Sequence, residues 1–276
     1  MHQEFEKSLP ATEIRGHADL VTLHSNIEPS RSQVAVFVCS SDNRWDVLER
    51  VLPSIPKFWP DCPYPIYVGL NSCNKRLPCG KAVLSPASEW HRECALQLEQ
   101  IEEDYLIVAL DDFLIHKPVD QVRMAELVRK AVTLNLTYLR LLPLGRSLAG
   151  RLTGWRPNEL KPGIERIPEF RPFYSALQIA IWRKAYLQSL LRTRLSIWEF
   201  EHLCVSESAH CVITNDPPIV YRHLVERGRW LPDAHALLQR TGLPTDLGNR
   251  AVWPTSRYIR LFFDQLRWVV LGYATY

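Results

Sequence analysis

The apolar run Tyr105–Leu110 and the two acids that follow it constrain the fold of this chain more than any other stretch. The run reads YLIVAL, carries no charge, and contains three residues that favour β-structure, Tyr105, Ile107 and Val108. A short uninterrupted apolar run of this kind predicts a strand that is buried on both faces, as in a parallel sheet covered by helices. Asp111 and Asp112 come directly after it, where ligands bind at the ends of strands in open α/β sheets.

Carboxylates between apolar residues are costly to bury unless a cation or hydrogen-bond donors compensate their charge. A divalent cation that carries a diphosphate would compensate Asp111 and Asp112, because Mg²⁺ and Mn²⁺ prefer hard oxygen ligands. The alternative is that the two acids simply start a loop and cap the next element.

Two earlier runs predict strands that lie beside this one. Val34–Cys39 and Ile66–Leu70 are apolar, and between them Trp45, Leu48 and Val51 recur at helical spacing. A strand, a helix and a strand within about 40 residues are typical of a parallel sheet, so we predict an α/β fold. The later elements that we predict are helices near Trp90–Ile101 and Val119–Leu134, a strand at Leu136–Leu142, an irregular insertion at 143–172, a helical Ala176–Leu191 with a strand near Tyr174–Ile181, a helical segment from Ser196 to Glu207, and short strands near 212–213 and 219–221.

Composition excludes several classes of protein. The chain has 276 residues and 46% hydrophobic content, enough for a sizeable core, and a net charge of +3 without a basic stripe, so we expect no nucleic-acid partner. The N-terminus lacks an apolar signal region, and no stretch reaches the ~18 apolar residues of a spanning helix. Seven cysteines without a CxxC pair indicate reduced thiols, so we expect a cytoplasmic protein.

Six segments together resemble bacterial GT-A-type glycosyltransferases of the surface-polysaccharide kind. They are VFVCSSDNRWDVLERVLPSI, FWPDCPYPIYVGLN, DYLIVALDDFLI, AIWRKAYLQSLL, SIWEFE and VYRHLVERGRW, and they span about residues 34–231. The resemblance implies a GT-A, Rossmann-like, mostly parallel sheet flanked by helices, a nucleotide-sugar donor, and a saccharide or lipid-linked saccharide acceptor. The acidic motif is DDF and not DxD, which leaves open which acid contacts a metal and whether a metal is required.

With this resemblance, we expect the donor to contact polar residues near the strand ends, with Asp42 against the nucleotide base. Mg²⁺ or Mn²⁺ would act as a Lewis acid on the diphosphate, with Asp112 as its first ligand and Asp111 as its second. The alternatives are a hydrogen bond from the turn backbone for Asp111 and a plain turn residue for Asn71. The predicted donor-binding residues are Ser40, Asp42, Asn71, Asp111 and Asp112.

The acceptor side is expected around the segment WEFE. On a helix Glu199 and Glu201 point about 200° apart, so only one of them can enter a cleft. An inverting transfer needs a general base, and the resemblance favours Glu201 over Glu199 for this catalytic role. We place Trp198, as a ring that stacks on a sugar, and His223 on the acceptor side. The alternatives are a solvent-facing Glu201, a core Trp198 and a solvated basic loop around His223.

The predicted organisation is an N-terminal extension at 1–32, a catalytic domain at 33–232 and a helical tail at 233–276. From Tyr258 on, apolar residues cover a broad helical face beside Arg257, Arg260 and Arg267. Such a helix can lie in a membrane interface, which would place the protein in peripheral contact with the inner face of a membrane; the alternative is that the helix packs on the catalytic domain as core.

Two other functions compete with a glycosyltransferase. One is a non-catalytic sugar- or nucleotide-binding protein of the same fold. The other is a Mg²⁺-dependent nucleotidyltransferase, which would usually carry a glycine-rich loop after its first strand, whereas Cys39-Ser40-Ser41-Asp42 has no glycine.

Overall fold

A computed structural model of the chain describes residues 33–72, 75–143, 158–167, 174–201, 210–260 and 263. Its strands are β1 (Val34–Cys39), β2 (Ile66–Leu70), β3 (Lys81–Leu84), β4 (Tyr105–Leu110), β5 (Phe113–Ile115), β6 (Tyr138–Arg140), β7 (Asn158–Lys161), β8 (Ile164–Arg166), β9 (Ala180–Arg183), β10 (His210–Ile213), β11 (Tyr221–His223), β12 (Val225–Glu226) and β13 (Arg229–Trp230). Its helices are α1 (Trp45–Val51), α2 (Ser54–Phe58), α3 (Trp90–Leu98), α4 (Gln121–Thr133), α5 (Lys184–Leu190), α6 (Ile197–Glu201) and α7 (Ala234–Thr241), with a 3-10 turn at Asp42–Arg44.

Nine of the described strands form one large sheet in the order β3-β2-β1-β4-β9-β6-β10-β8-β7, and the other four form the two-stranded pairs β11-β5 and β12-β13. Strands β3, β2, β1 and β4 are parallel, β9 is antiparallel to both of its neighbours, and β10 is parallel to β6. The predicted α/β, Rossmann-like architecture with a mostly parallel sheet and flanking helices is therefore confirmed. The sheet grows from β1 to β2 and β3 on one side and to β4 on the other, which makes the β1/β4 boundary its topological switch point.

Strand β4 is buried on both faces, as its uninterrupted apolar run predicts. Tyr105 and Ile107 pack in one apolar cluster, and Leu106 and Val108 pack in another on the opposite face. Strand β1 alternates in the same way, and its register with β4 places Val36 opposite Ile107. The two central strands are thus held rigidly from both sides, which fixes the position of whatever lies at their carboxyl ends.

Asp111 and Asp112 form the turn between β4 and the short strand β5. Strand β5 leaves the large sheet and pairs antiparallel with β11. The backbone N–H of Leu224 donates to the Asp112 carbonyl at 2.9 Å, which ties the turn to the segment after β11. The apolar residues Phe113, Leu114 and Ile115 then anchor the turn in the core.

Helix α7 packs in a third apolar cluster against helix α1 and strand β5. Leu238 and Trp230 are fully buried there beside Val47 and Leu114. The segment predicted as a tail from residue 233 therefore begins with a helix that belongs to the packed body of the protein. Residues 255–260 are helical, and most of the tail beyond them lies outside the described residues. Within the described part of the chain, every helix is too short or too polar to cross a membrane.

Two predicted elements differ in the structure. The prediction of an irregular insertion at 143–172 was wrong for 158–167, where β7 and β8 form an antiparallel hairpin at the sheet edge. Gly163, with φ +81°, turns this hairpin, and the Pro162-Gly163 dipeptide was its sequence signal. The remainder of 144–157 and 168–173 lies outside the described residues.

The stretch Ala176–Leu191 was predicted to be helical with a strand near Tyr174–Ile181. The structure has the strand Ala180–Arg183 between β4 and β6, and the helix only from Lys184 to Leu190. A short apolar run fits a buried strand and a buried helix equally well, and here the two neighbouring strands decide. The helix predicted from Ser196 runs from Ile197 to Glu201, and its continuation to Glu207 lies outside the described residues.

Candidate functional site

A cavity of about 380 Å³ opens at the switch point of the sheet. The end of β1, the turn after β4, the start of α3, helix α6 and the β12–β13 hairpin form its walls. Pockets that bind small molecules commonly measure roughly 300–1,000 Å³, so the cavity is large enough for a small-molecule ligand.

Asp111 is held by a cation that the sequence analysis did not identify. Arg44 Nη2 donates to Asp111 Oδ1 at 2.9 Å, and Arg44 Nε lies 3.2 Å from both carboxylate oxygens. Ser40 Oγ donates to Asp111 Oδ2 at 2.9 Å. Both oxygens of Asp111 are therefore occupied, and the carboxylate holds the guanidinium of Arg44 at the cavity wall. The only sequence signal was a lone arginine in the turn after the first strand.

Asp112 is buried beside this pair and has less compensation. Burial raises the pKa of its carboxyl group and Asp111 raises it further, while Arg44 and the backbone N–H groups of Asp112 and Val225 act in the opposite direction. A buried carboxylate of this kind fits a divalent cation. Mg²⁺ is often held by one or two carboxylates together with phosphate oxygens and water. Among the residues that the structure describes, no group of three or more His, Cys, Asp and Glu side chains is placed to hold a metal ion.

Asp42 and Asn71, both predicted to bind the donor, form a structural clamp. Asp42 accepts hydrogen bonds from the Asn71 N–H at 3.0 Å, the Ser72 N–H at 3.1 Å and Ser72 Oγ at 2.6 Å. The Asn71 amide accepts from the Asp42 N–H at 2.9 Å and donates to Ser85 O at 3.1 Å and Ala87 O at 3.2 Å. Burial works to raise the pKa of Asp42, but these hydrogen bonds outweigh it and the net shift is downward. Neither residue belongs to the described cavity wall.

Helix α6 brings one of its two acids to the cavity. Glu201 lines the cavity, and its Oε1 accepts a hydrogen bond from the Leu177 N–H at 2.8 Å. Glu199 instead accepts from the N–H and the hydroxyl of Ser196, each at 2.7 Å, and these bonds lower its pKa. The helix is oriented by Phe200, which is fully buried and packs edge-on to Trp90 with ring centroids 5.2 Å apart.

Of the two residues predicted on the acceptor side, Trp198 lines the cavity and His223 does not. Trp198 is 59% exposed and lines the cavity, so its ring lies at the opening. His223 lies on β11 opposite Phe113, outside the described cavity wall, and burial lowers its pKa.

Glu93 is a second carboxylate of the wall that the sequence analysis missed. It lies in α3, it is 8% exposed, and Asn71 Nδ2 donates a hydrogen bond to its Oε1. Burial raises the pKa of Glu93 to about 7, against the effect of the bond from Asn71. Sequence spacing alone placed it on an ordinary amphipathic helix.

The cavity therefore combines an arginine, a buried carboxylate suited to a cation, a carboxylate held on α6, and an exposed tryptophan ring. The tip of the β12–β13 hairpin, Arg227 and Gly228, forms another part of the wall, and both residues have positive φ angles. The set can bind an anionic group at one place and accept a proton at another.

No protein-family model matches the sequence, and no curated protein matches it. Solved structures with a similar arrangement include TarS of S. aureus, with 13% identity and a TM-score of 0.42, where the match covers 76% of this chain and 39% of that one. A structure of TarS 1–349 in complex with UDP has 14% identity and a TM-score of 0.36, over 67% of this chain and 60% of that one. The 2-C-methyl-D-erythritol 4-phosphate cytidylyltransferase of Thermus thermophilus has 10% identity and a TM-score of 0.41, over 76% of this chain and 99% of that one. This chain thus spans less than two thirds of each of these TarS structures, 39% of one and 60% of the other.

Proposed function

We propose that the protein is a glycosyltransferase that moves a sugar from a nucleotide-sugar donor to a saccharide or lipid-linked saccharide acceptor in surface polysaccharide synthesis. One observation carries the proposal: Arg44 and Asp112 share a single cavity at the switch point with Glu201 and Trp198. Transfer from a sugar nucleotide needs charge stabilisation for the leaving diphosphate and a base for the acceptor hydroxyl, and this cavity contains groups suited to both.

On the donor side, Arg44 presents a guanidinium that Asp111 holds in place. The positive charge and the remaining N–H groups of Arg44 suit phosphate oxygens, and a preorganised cation needs no rearrangement when charge develops on the leaving group. Asp112 would hold Mg²⁺ or Mn²⁺ here, and the ion would supply Lewis-acid neutralisation of the diphosphate. Ser40 completes this side through its hydrogen bond to Asp111.

On the acceptor side, Glu201 takes the proton of the attacking hydroxyl. The Leu177 N–H holds its carboxylate in one orientation, which a general base requires if it is to meet a proton at a fixed place. Trp198, exposed at the opening, offers a flat apolar ring for a sugar face.

The test is donor hydrolysis by the purified full chain. The protein is incubated with UDP-, GDP-, CDP- and dTDP-sugars in Mg²⁺ or Mn²⁺, and the released nucleotide is measured by chromatography. We expect slow release of a nucleotide from at least one donor, and its loss in Asp112→Ala. Asp104→Ala, which removes an exposed acid at the other end of β4, is the matched control and should keep the wild-type rate.

The competing functions give different products. A nucleotidyltransferase would release pyrophosphate from a nucleoside triphosphate and leave the sugar nucleotides intact. A binding protein would bind a sugar nucleotide in calorimetry without turnover under any condition that includes a metal. Either result overturns the glycosyltransferase proposal.

A further inference from the structure

Glu93 is a buried carboxylate in the cavity wall to which the proposed chemistry gives no role. It lies on α3 and lines the same cavity as Ser88 and Trp90. A buried carboxyl group that contacts a ligand cavity needs a hydrogen-bond donor from the ligand or water, since its desolvation is costly.

The position of Glu93 is fixed by its neighbours. Asn71 Nδ2 donates to Glu93 Oε1 and also to the carbonyls of Ser85 and Ala87, so the amide joins α3 to the segment after β3. The Asn71 side chain is in turn locked to the end of β1 through the Asp42 N–H. A carboxylate held in this way can discriminate between ligands because it cannot swing away from a mismatched one.

The carboxylate of Asp42 accepts hydrogen bonds from Asn71 and Ser72, and Asp42 lies outside the described cavity wall. Glu93 lies close enough to Asp42 for the two charges to interact, so it belongs to the same end of the sheet.

We propose that Glu93 reads the base of the donor nucleotide, and that the preferred base carries a ring N–H beside a carbonyl, as uracil, thymine and guanine do. The inference rests on the proposed function, since it presumes a nucleotide donor. A carboxylate accepts from the N3–H of uracil or the N1–H of guanine. The same ring positions in cytosine and adenine are acceptors, which would face the carboxylate lone pairs without a proton between them.

The test measures base discrimination by calorimetry at pH 8, where Glu93 is mostly ionised. The wild-type full chain is titrated with UDP, GDP, CDP, ADP and inorganic pyrophosphate in Mg²⁺. We expect UDP or GDP to bind at least about 10-fold more tightly than CDP and ADP, the size of effect of one mismatched buried hydrogen bond. In Glu93→Gln the amide offers both a donor and an acceptor and can pair with cytosine too, so the UDP-to-CDP ratio should fall to about 3-fold or less.

Glu99→Gln is the matched control, because Glu99 is an exposed acid just after the same helix and should leave the ratio unchanged. If Glu93→Gln does not fold, Glu93→Asp keeps the charge, and UDP or GDP should then still bind more tightly than CDP and ADP. Nucleoside diphosphates that bind without base preference, a preference for CDP or ADP, or a ratio that Glu93→Gln leaves unchanged would each overturn the base assignment alone. Failure of every nucleotide and of pyrophosphate to bind would overturn the proposed function together with it.

Discussion

At the scale of single residues, the neighbours Asp111 and Asp112 have different environments and therefore suit different tasks. Asp111 is paired with Arg44 at 2.9 Å and with the hydroxyl of Ser40, so its contribution is to position a cation. Asp112 is buried without a cation of its own, and its raised pKa reports the cost of that burial. Adjacent carboxylates in unequal surroundings commonly divide their roles in this way.

The role of Glu201 predicts a specific loss of turnover. Glu201→Gln keeps the shape of the side chain and removes its capacity to accept a proton, so kcat should fall by about 10²–10⁴ while the donor Kd is preserved. Glu199→Gln is the matched control on the same helix, because Glu199 hydrogen-bonds Ser196 outside the cavity and should matter little. Equal and small effects of the two substitutions would remove Glu201 from the role of base.

The raised pKa of Glu93 predicts that the protein becomes less stable as the pH rises. Its pKa in the folded protein is about 7, above the value of 4.5 for an exposed glutamate, so the folded state binds the proton more tightly than the unfolded state. The free energy of unfolding should therefore decrease as the pH rises from about 4.5 to about 7, and be lowest once Glu93 is ionised.

Urea unfolding of the wild type and Glu93→Gln at pH 5 and pH 8 measures this effect. Glutamine does not titrate, so the loss of stability between the two pH values should be smaller in the variant. A pH dependence that is identical in both proteins would contradict the raised pKa.

At the scale of elements, the carboxyl ends of β1 and β2 are joined by buried amides as well as by the sheet. Gln97 Nε2 on α3 lies 3.4 Å from the Ser40 carbonyl and 3.3 Å from the Leu70 carbonyl. The helix can approach this closely because β2 carries Gly69, where a Cβ would lie only 2.3 Å from Gln97 Oε1. The glycine therefore sets the distance between α3 and the sheet, and with it the position of Glu93.

Gly69→Ala should destabilise the protein by about 1–3 kcal/mol, the usual cost of overpacking. Gln97 is fully buried and cannot swing into solvent to relieve the overlap. Urea unfolding of both single variants and of Gly69→Ala/Gln97→Ala gives the coupling between the two sites. Gly69→Ala should cost clearly less in the Gln97→Ala background than in the wild type, and an equal cost in the two backgrounds would show that Gln97 is not the obstacle.

The elements that the sequence predicted best are those whose signal is local. Strands β1, β2 and β4 are buried on both faces or nearly so, and their apolar runs match the observed bounds to the residue. Strand β9 is decided by its neighbouring strands β4 and β6, which no local pattern reveals. The β7–β8 hairpin carried a local turn signal at Pro162-Gly163, which was overlooked.

The residues of the candidate site likewise divide into those with a local sequence signal and those that depend on distant parts of the chain. Asp112 and Glu201 could be proposed from acids placed beside apolar runs. Arg44 and Glu93 depend on partners 67 and 22 residues away in the chain, so their part in the cavity becomes visible only in three dimensions. Asp42 and Asn71 follow β1 and β2 and hydrogen-bond each other across 29 residues of sequence, a contact that no local pattern reveals.

At the scale of the whole molecule, the packed body continues past the cavity to Trp253 and then gives way to exposed apolar residues. Trp253 Nε1 donates to the Glu226 carbonyl at 2.8 Å, which fastens the chain to the β12–β13 hairpin. Beyond it, Ile259 is 49% exposed and Phe263 is 59% exposed. They are four residues apart in the sequence, with Arg260 between them.

We propose that Ile259, Arg260 and Phe263 contact an anionic membrane surface, which would bring the cavity to lipid-linked acceptors. Apolar and arginine side chains together favour the interface of anionic lipids. The full chain should co-sediment with phosphatidylglycerol vesicles more strongly than with phosphatidylcholine vesicles. Ile259→Glu/Phe263→Glu should reduce the binding to phosphatidylglycerol by at least about 10-fold, because it removes apolar contact and adds repulsion.

Val122→Glu is the matched control for this substitution. Val122 is an apolar residue on α4 that is 83% exposed, so the change adds the same kind of charge elsewhere on the surface and should leave vesicle binding nearly unchanged. Both variants alter exposed side chains, so circular dichroism should show the wild-type fold and melting temperature. Equal binding by the wild type and the double variant would place the membrane contact elsewhere, and absence of binding by the wild type would rule it out for this chain.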